Sequence, residues 1–124
     1  MWNFKVGKWT VEPETGRLLR PGIERVTLGP KVMGVLVALL EQPGRWWTQA
    51  DLIQVVWAGQ SVDDEVVRRF VGLLRRLLGS SKHPVIEELP HRGYRWVGPV
   101  QVLEGGLVAE AAPARSTELR PSSP

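Results

Sequence analysis

The chain has 124 residues, of which 43% are hydrophobic and 23% are charged, and its formal net charge is +3 at pH 7. This length and composition predict one soluble globular domain and exclude a disordered or fibrous protein. Because the chain has no cysteine, disulfide scaffolds, thiolate metal sites and cysteine nucleophiles are excluded as well. No apolar run reaches the roughly 18 to 20 residues of a membrane helix, and the N-terminus does not resemble a secretory signal, so we expect a cytoplasmic location.

The first 28 residues alternate apolar and polar side chains in short runs that Pro and Gly interrupt. Trp2, Phe4 and Val6 form the first such run. This pattern predicts short antiparallel strands. We expect the hairpin turns at residues 13–16 and 21–22.

At Pro30 the spacing of apolar residues changes to that of a helix. Proline suits the first helical position, and Pro43 and Gly44 stop a helix, so the first helix is predicted from residue 30 to about residue 41. A second helix is predicted to follow Thr48 as its N-cap residue, with one apolar face formed by Leu52, Ile53, Val56 and Trp57.

The third predicted helix, residues 62–78, is the longest, and its charges are one-sided. Acidic residues 63–65 are placed in its first turn, where the helix dipole favours anions, and Gly79 ends it. At about 100° per residue, apolar side chains share one side of this helix. The opposite side carries Arg68, Arg69, Gly72, Arg75 and Arg76. Since a helical glycine costs about 1 kcal/mol relative to alanine, Gly72 suggests close approach of a partner to the helix backbone.

A β-hairpin is predicted over residues 85–99, with Gly93 in a left-handed turn conformation. It adds His91, Arg92 and Arg95 to the basic residues, and Lys82 lies in the preceding turn. Between residues 68 and 95 there are seven Lys or Arg and two acids, a local charge of +5 that exceeds the charge of the whole chain. A solvated helix surface is the alternative, but such surfaces usually interleave acids, and none lies between residues 66 and 78. The pattern therefore favours nucleic-acid binding, in which arginine pairs with guanine or phosphate.

The residues that could perform catalysis are scattered. His83 and His91 lie in predicted loops beside no paired carboxylate or nucleophile, and the helix dipole explains the acids at 63–65. We therefore expect no enzymatic activity, no metal site and no cofactor. The tryptophans are predicted to pack in the core rather than to stack on single-stranded bases, with one of Trp46 and Trp47 partly exposed. The inward-facing tryptophans are expected to be Trp2, Trp9, Trp57 and Trp96.

Five segments between Phe4 and about Val102 resemble the OmpR/PhoB-type winged-helix DNA-binding domain, and within that family the ToxR/CadC-like branch. In chain order they are FKVGKWTVEPETGRLLR, LGPKVMGVLVALLEQPG, TQADLIQVVW, VDDEVVRRFVGLLRRLLG and VIEELPHRGYRWVGPV. The resemblance implies an α+β winged helix-turn-helix with an N-terminal antiparallel sheet, three helices and a C-terminal hairpin wing. It also implies a transcriptional regulator that binds double-stranded DNA sequence-specifically. In that family the third helix enters the major groove and the wing contacts the adjacent minor groove.

Carried over to this sequence, the resemblance implies that helix residues 68, 69, 72, 75 and 76 contact DNA. It implies the same for the wing residues His91, Arg92 and Arg95. Thr48 matches a helix-start position that meets phosphate. The loop formed by Ala58, Gly59, Gln60 and Ser61 matches a segment that often touches RNA polymerase. Gly72 and Leu73 depart from many response-regulator members, so a base preference does not transfer.

From Glu104 onward the chain is rich in Ala, Pro, Ser and Glu, which predicts a disordered tail or linker. The expected organisation is a DNA-binding domain over residues 1–103 and a tail over residues 104–124. Three interpretations stay open: a DNA-bound regulator, acting as two copies on neighbouring half-sites; a winged-helix protein-interaction module; and the cytoplasmic end of a membrane-anchored sensor, as in the ToxR/CadC-like branch. In none of them does this segment itself contact a membrane.

Overall fold

The computed structural model describes residues 2–104, which form seven strands and three helices. The N-terminal strands are β1 (Trp2–Val6), β2 (Trp9–Glu12), β3 (Arg17–Arg20) and β4 (Ile23–Thr27). The helices are α1 (Pro30–Glu41), α2 (Gln49–Val56) and α3 (Asp64–Leu78). The C-terminal strands are β5 (Ile86–Leu89), β6 (Gly93–Trp96) and β7 (Gln101–Glu104).

The predicted N-terminal strands are confirmed as an antiparallel sheet in the order β4-β3-β2-β1-β7. The register places Phe4 opposite Val11, and Val11 opposite Leu18, and all three side chains are buried. Alternation thus gives the sheet one apolar face. The prediction for Trp2 is wrong: its side chain is 52% exposed. It shares a face with Phe4, but the core ends before the first residue of the strand.

Strand β7 was not predicted. It pairs with β1, with Val102 opposite Phe4 and Glu104 opposite Trp2. The remainder of the predicted tail, residues 105–124, lies outside the described residues. Among residues 2–104, no helix combines the length and apolarity needed to span a bilayer.

The three predicted helices are confirmed, and their apolar faces meet in one core. Helix α1 begins with Pro30 at its first position and buries seven side chains, and α2 buries Leu52. The rings of Trp57 and Phe70 stack with centroids 5.8 Å apart and link the end of α2 to α3. The start of α3 differs from the prediction. Asp63 is the N-cap residue with extended backbone (φ −66°, ψ 138°), so the helix begins at Asp64 rather than near residue 62.

The predicted hairpin is confirmed as β5 and β6, which we call the wing together with the turn between them, residues 86–96. The segment before α2 attaches to it: the Trp47 amide donates to the Tyr94 carbonyl at 2.7 Å, and the Tyr94 amide donates back at 2.8 Å. This bridge fixes the N-terminus of α2 beside the wing. Trp9, Trp57 and Trp96 are buried as predicted. Of the adjacent pair, Trp47 is buried and Trp46 is half-buried, which agrees with the prediction that one of the two is partly exposed.

Candidate nucleic-acid interface

Helix α3 has the two-sided character that its sequence predicts. Val67, Val71 and Leu74 are buried against the core. The predicted arginines are all exposed on the other side: Arg68, Arg69, Arg75 and Arg76. Three of them, Arg68, Arg69 and Arg76, form no ion pair with any residue between 2 and 104. Their charges are therefore available to an external anion.

Arg75 differs from the other three because β5 supplies a carboxylate to it. Its Nη1 lies 3.1 Å from Oε1 of Glu88, and both side chains are a little over 40% exposed. An ion pair this exposed contributes about 0 to 1 kcal/mol to stability. Its main consequences are that it ties α3 to the wing and offsets one of the four helix charges.

Arg95 is held from two directions. Glu87, its cross-strand partner, accepts from the Arg95 guanidinium at 2.7 Å, and the guanidinium carbon lies 4.8 Å from the centroid of the Trp46 ring. Arg92 approaches the same ring at 5.7 Å. Cation–π contacts of this kind favour arginine over the aromatic face. Trp46 thus orders two arginines of the wing.

Glu87, Glu88 and Trp46 were not predicted as parts of the site. A signal for Glu87 existed, because closing the hairpin on Gly93 places Glu87 opposite Arg95. No local pattern connects Trp46 to the wing, since that contact forms only when the segment before α2 pairs with β6.

The wing turn places His91 and Arg92 at its exposed tip. The Arg92 amide donates to the Leu89 carbonyl at 3.1 Å, with Pro90 in the second position and His91 in the third at φ +74°. A proline followed by a positive φ is the pattern of a type II turn. Lys82 is exposed in a separate turn, which the Ser80 amide closes by donating to the His83 carbonyl at 3.2 Å.

Thr48 has a structural role in the capping box of α2. Its hydroxyl accepts from the Asp51 amide at 3.0 Å, and the Asp51 carboxylate accepts from the Thr48 amide at 3.1 Å. The hydroxyl proton has no acceptor among residues 2–104, so it can still be donated to a phosphate oxygen. The start of α2 also touches the wing, since a Cβ on Gly93 would lie 2.9 Å from Cα of Thr48.

The loop between α2 and α3 is exposed at all four residues matched to the polymerase-contacting segment, Ala58, Gly59, Gln60 and Ser61. Ala58 has φ +52° and Gly59 has φ +79°. The Gln60 amide donates to the Trp57 carbonyl at 3.0 Å, which anchors this turn to the end of α2.

Gly72 is not required by the packing of the described residues. A Cβ at this position would meet only Nη1 of Arg76, at 3.5 Å, which is an ordinary van der Waals distance. Gly34 of α1 provides the contrast, because a Cβ there would lie 2.9 Å from Cγ1 of Val56. The fold therefore explains the glycine in α1 but not the one in α3.

The assembled surface consists of one side of α3, the wing and the start of α2, joined by the Arg75–Glu88 pair and the Trp47–Tyr94 bridge. Its chemistry is that of anion binding by guanidinium groups. Within the described residues there is no group of three His, Asp or Glu placed to hold a metal ion.

The chain matches known proteins over most of its length. The family model described as "Transcriptional regulatory protein, C terminal" matches residues 23–96. Transcriptional regulator HilA of Salmonella typhi is 39% identical over 89 residues, covering 71% of this chain and 16% of that protein. Transcriptional activator CadC of Escherichia coli (strain K12) is 32% identical over 99 residues, covering 77% of this chain and 19% of that protein. The chain therefore spans less than a fifth of the length of either relative.

The solved structure of the DNA-binding domain of E. coli CadC shares the fold, with a TM-score of 0.71 and 30% sequence identity. The match covers 82% of this chain and 96% of that domain. It confirms the predicted α+β winged helix and the resemblance to OmpR/PhoB-type domains. The chain therefore belongs to the family of C-terminal domains of transcriptional regulatory proteins.

Proposed function

We propose that this domain binds double-stranded DNA sequence-specifically, with α3 in the major groove and residues 85–99 at the adjacent minor groove. DNA binding in transcription regulation is the role of its family, which is not a family of enzymes. The proposed geometry rests on the exposed side of α3. There, Arg68, Arg69 and Arg76 have no ion-pair partner among residues 2–104, and they surround Gly72, which the packing of the fold does not require. The major groove, about 12 Å wide, accepts a helix with such a surface.

The arginines of α3 are proposed to divide into two roles. Arg68, Arg69 and Arg76 can bind DNA without first breaking an ion pair within the domain. They are therefore the candidates for direct contacts with guanine or phosphate. Arg75 is paired with Glu88, which offsets part of its charge, and it is proposed to contact the phosphate backbone of DNA. Phosphate contacts of this kind position a protein on the duplex, whereas contacts with base edges give sequence preference.

The wing and its surroundings are proposed to add contacts beside α3. Arg92 and Arg95 are ordered by Trp46, which lowers the entropy lost when they meet DNA. His91 at the turn is placed for the minor groove. Lys82 and the Thr48 hydroxyl are proposed to meet phosphate oxygens, because both are exposed and neither has a competing acceptor between residues 2 and 104.

The wider assembly is also part of the proposal. Residues 58–61 are proposed to contact RNA polymerase, since all four are exposed and the turn is anchored to α2. Two copies are proposed to occupy neighbouring half-sites, and the location is proposed to be cytoplasmic, either free or tethered through a longer natural chain. Footprint length on a selected site measures the number of bound copies, because two copies protect about one further helical turn of DNA.

The experiment that tests DNA binding is selection of bound sites from a random-sequence duplex pool, followed by affinity measurements at several salt concentrations. We expect enrichment of one sequence and a log–log salt slope of about −0.9 for each phosphate neutralised. If no sequence is enriched and the slope is near zero, the protein-interaction module becomes the better description of this fold.

Gly72→Ala is expected to raise the free energy of unfolding by about 1 kcal/mol and at the same time to weaken binding to the selected DNA. The added methyl group fits the isolated helix but would occupy space next to the groove. Urea denaturation and DNA titration measure the two effects. Gly34→Ala serves as the control: contact with Val56 should offset its helical gain while DNA affinity stays unchanged. A Gly72→Ala protein that is stabilised and binds DNA normally would show that the backbone does not approach DNA here.

A further inference from the structure

We propose that Leu73 is a specificity-determining residue that contacts the C5-methyl group of a thymine in the major groove. This inference deepens the proposed function and rests on it. It assigns to an apolar residue of α3 a part of the sequence recognition that the arginines alone do not provide.

The exposure of Leu73 is unusual for its helix. Its side chain is 37% exposed. The other apolar side chains of α3 are buried or partly buried, namely Val66, Val67, Phe70, Val71, Leu74, Leu77 and Leu78. The core therefore accounts for every apolar residue of this helix except Leu73, which faces outward.

The neighbours of Leu73 place it on the DNA-facing surface. Residues three or four apart are adjacent on a helix, so Leu73 lies next to Arg69 and Arg76. Its other two neighbours by this spacing, Phe70 and Leu77, are partly buried, so Leu73 lies at the edge of the arginine-bearing side of the helix. Both arginines are exposed and have no ion-pair partner among residues 2–104. A ligand that engages these two arginines therefore also meets the leucine.

The chemistry of the groove identifies the ligand group. In the major groove, thymine is distinguished by its C5-methyl, and apolar side chains recognise that methyl group. Leucine has no hydrogen-bonding group for a base edge, so contact with this methyl is the recognition it can provide. Contact between the two removes apolar surface of both from water, which favours sites with thymine at that position.

The test replaces single thymines of the selected site by deoxyuridine, which removes only the methyl group. We expect one or two positions at which the replacement weakens binding of the wild-type domain about fourfold, the effect of burying one carbon group. For Leu73→Ala, the same replacement should change affinity less than about twofold. The measured quantity is the coupling between the protein change, Leu73→Ala, and the DNA change, thymine to deoxyuridine.

Val55→Ala is the matched control, because Val55 is also an exposed aliphatic residue, at 60%, but lies on α2. DNA binding by the Val55→Ala variant should be weakened by the deoxyuridine replacement as much as binding by the wild-type domain is. If no thymine replacement weakens wild-type binding, or if Leu73→Ala keeps the full sensitivity, the assignment of Leu73 is overturned although DNA binding stands. If neither protein enriches a sequence from the random pool, the proposed function fails first and the assignment fails with it.

Discussion

A Gly93→Ala variant is expected to lose about 3 kcal/mol or more of unfolding free energy. Gly93 has φ +100°, and a Cβ there would overlap the carbonyl oxygen of Trp47 and lie 2.7 Å from its carbonyl carbon. A left-handed conformation costs a residue with a Cβ about 1 to 2 kcal/mol. Overpacking adds about 1 to 3 kcal/mol, because the atoms that are struck belong to the backbone. Urea denaturation monitored by tryptophan fluorescence measures the loss.

This large effect follows from where the Trp47 backbone is held. It exchanges two hydrogen bonds with Tyr94, at 2.7 and 2.8 Å, so it cannot move away from the new methyl group without breaking the bridge between the wing and α2. Gly22→Ala is the control, since Gly22 has φ +79° but a methyl group added there would have no atom within 4 Å. It should lose only the conformational cost of about 1 to 2 kcal/mol. Equal losses in the two variants would show that close backbone approach is not what Gly93 provides.

Arg76→Gln is expected to weaken binding to the selected DNA about tenfold to a hundredfold, the range for losing a two-pronged contact with guanine. Arg76 is exposed, has no ion-pair partner among the described residues and lies beside Gly72, where its Nη1 is 3.5 Å from a Cβ position. Titrations on the selected site and on random duplex at one salt concentration measure the effect. Equal losses on both would assign Arg76 to phosphate, and unchanged affinity on both would remove it from the interface.

Glu88→Gln is the companion variant, with the opposite sign. Neutralising this carboxylate releases Arg75 and removes a negative charge from the proposed DNA-binding surface, so affinity should rise and the salt slope should become steeper. Stability should change by no more than about 1 kcal/mol, because the ion pair is exposed. Weaker binding in Glu88→Gln would mean instead that the carboxylate orients Arg75 for its contact.

The helices were predictable because their signals are local. The apolar period, Pro30 at the start of α1 and Thr48 as the N-cap residue of α2 each act within one or two turns of chain, and all three are present in the structure. The start of α3 was placed two residues early, because acidic residues suit both the N-cap position and the first turn, and the sequence does not separate these.

The elements that sequence reasoning missed all depend on contacts between distant parts of the chain. Strand β7 exists because its residues find the free edge of β1, and a run of four residues is too short to predict a strand by itself. Trp2 was placed in the core by alternation, but burial requires a second layer over the strand, and that layer does not reach the strand's first residue.

For the proposed DNA-binding surface, the sequence by itself determined that four arginines share one side of α3, because helical period fixes which residues lie together. Only the tertiary structure decided what those arginines meet. The position of the wing beside α3 brings Glu88 to Arg75 and leaves Arg76 without such a partner among residues 2–104. Pairing of residue 47 with β6 brings Trp46 beneath Arg92 and Arg95. These contacts join side chains that are far apart in the sequence, and no helix or strand periodicity brings them together. They therefore exist only once the core has formed.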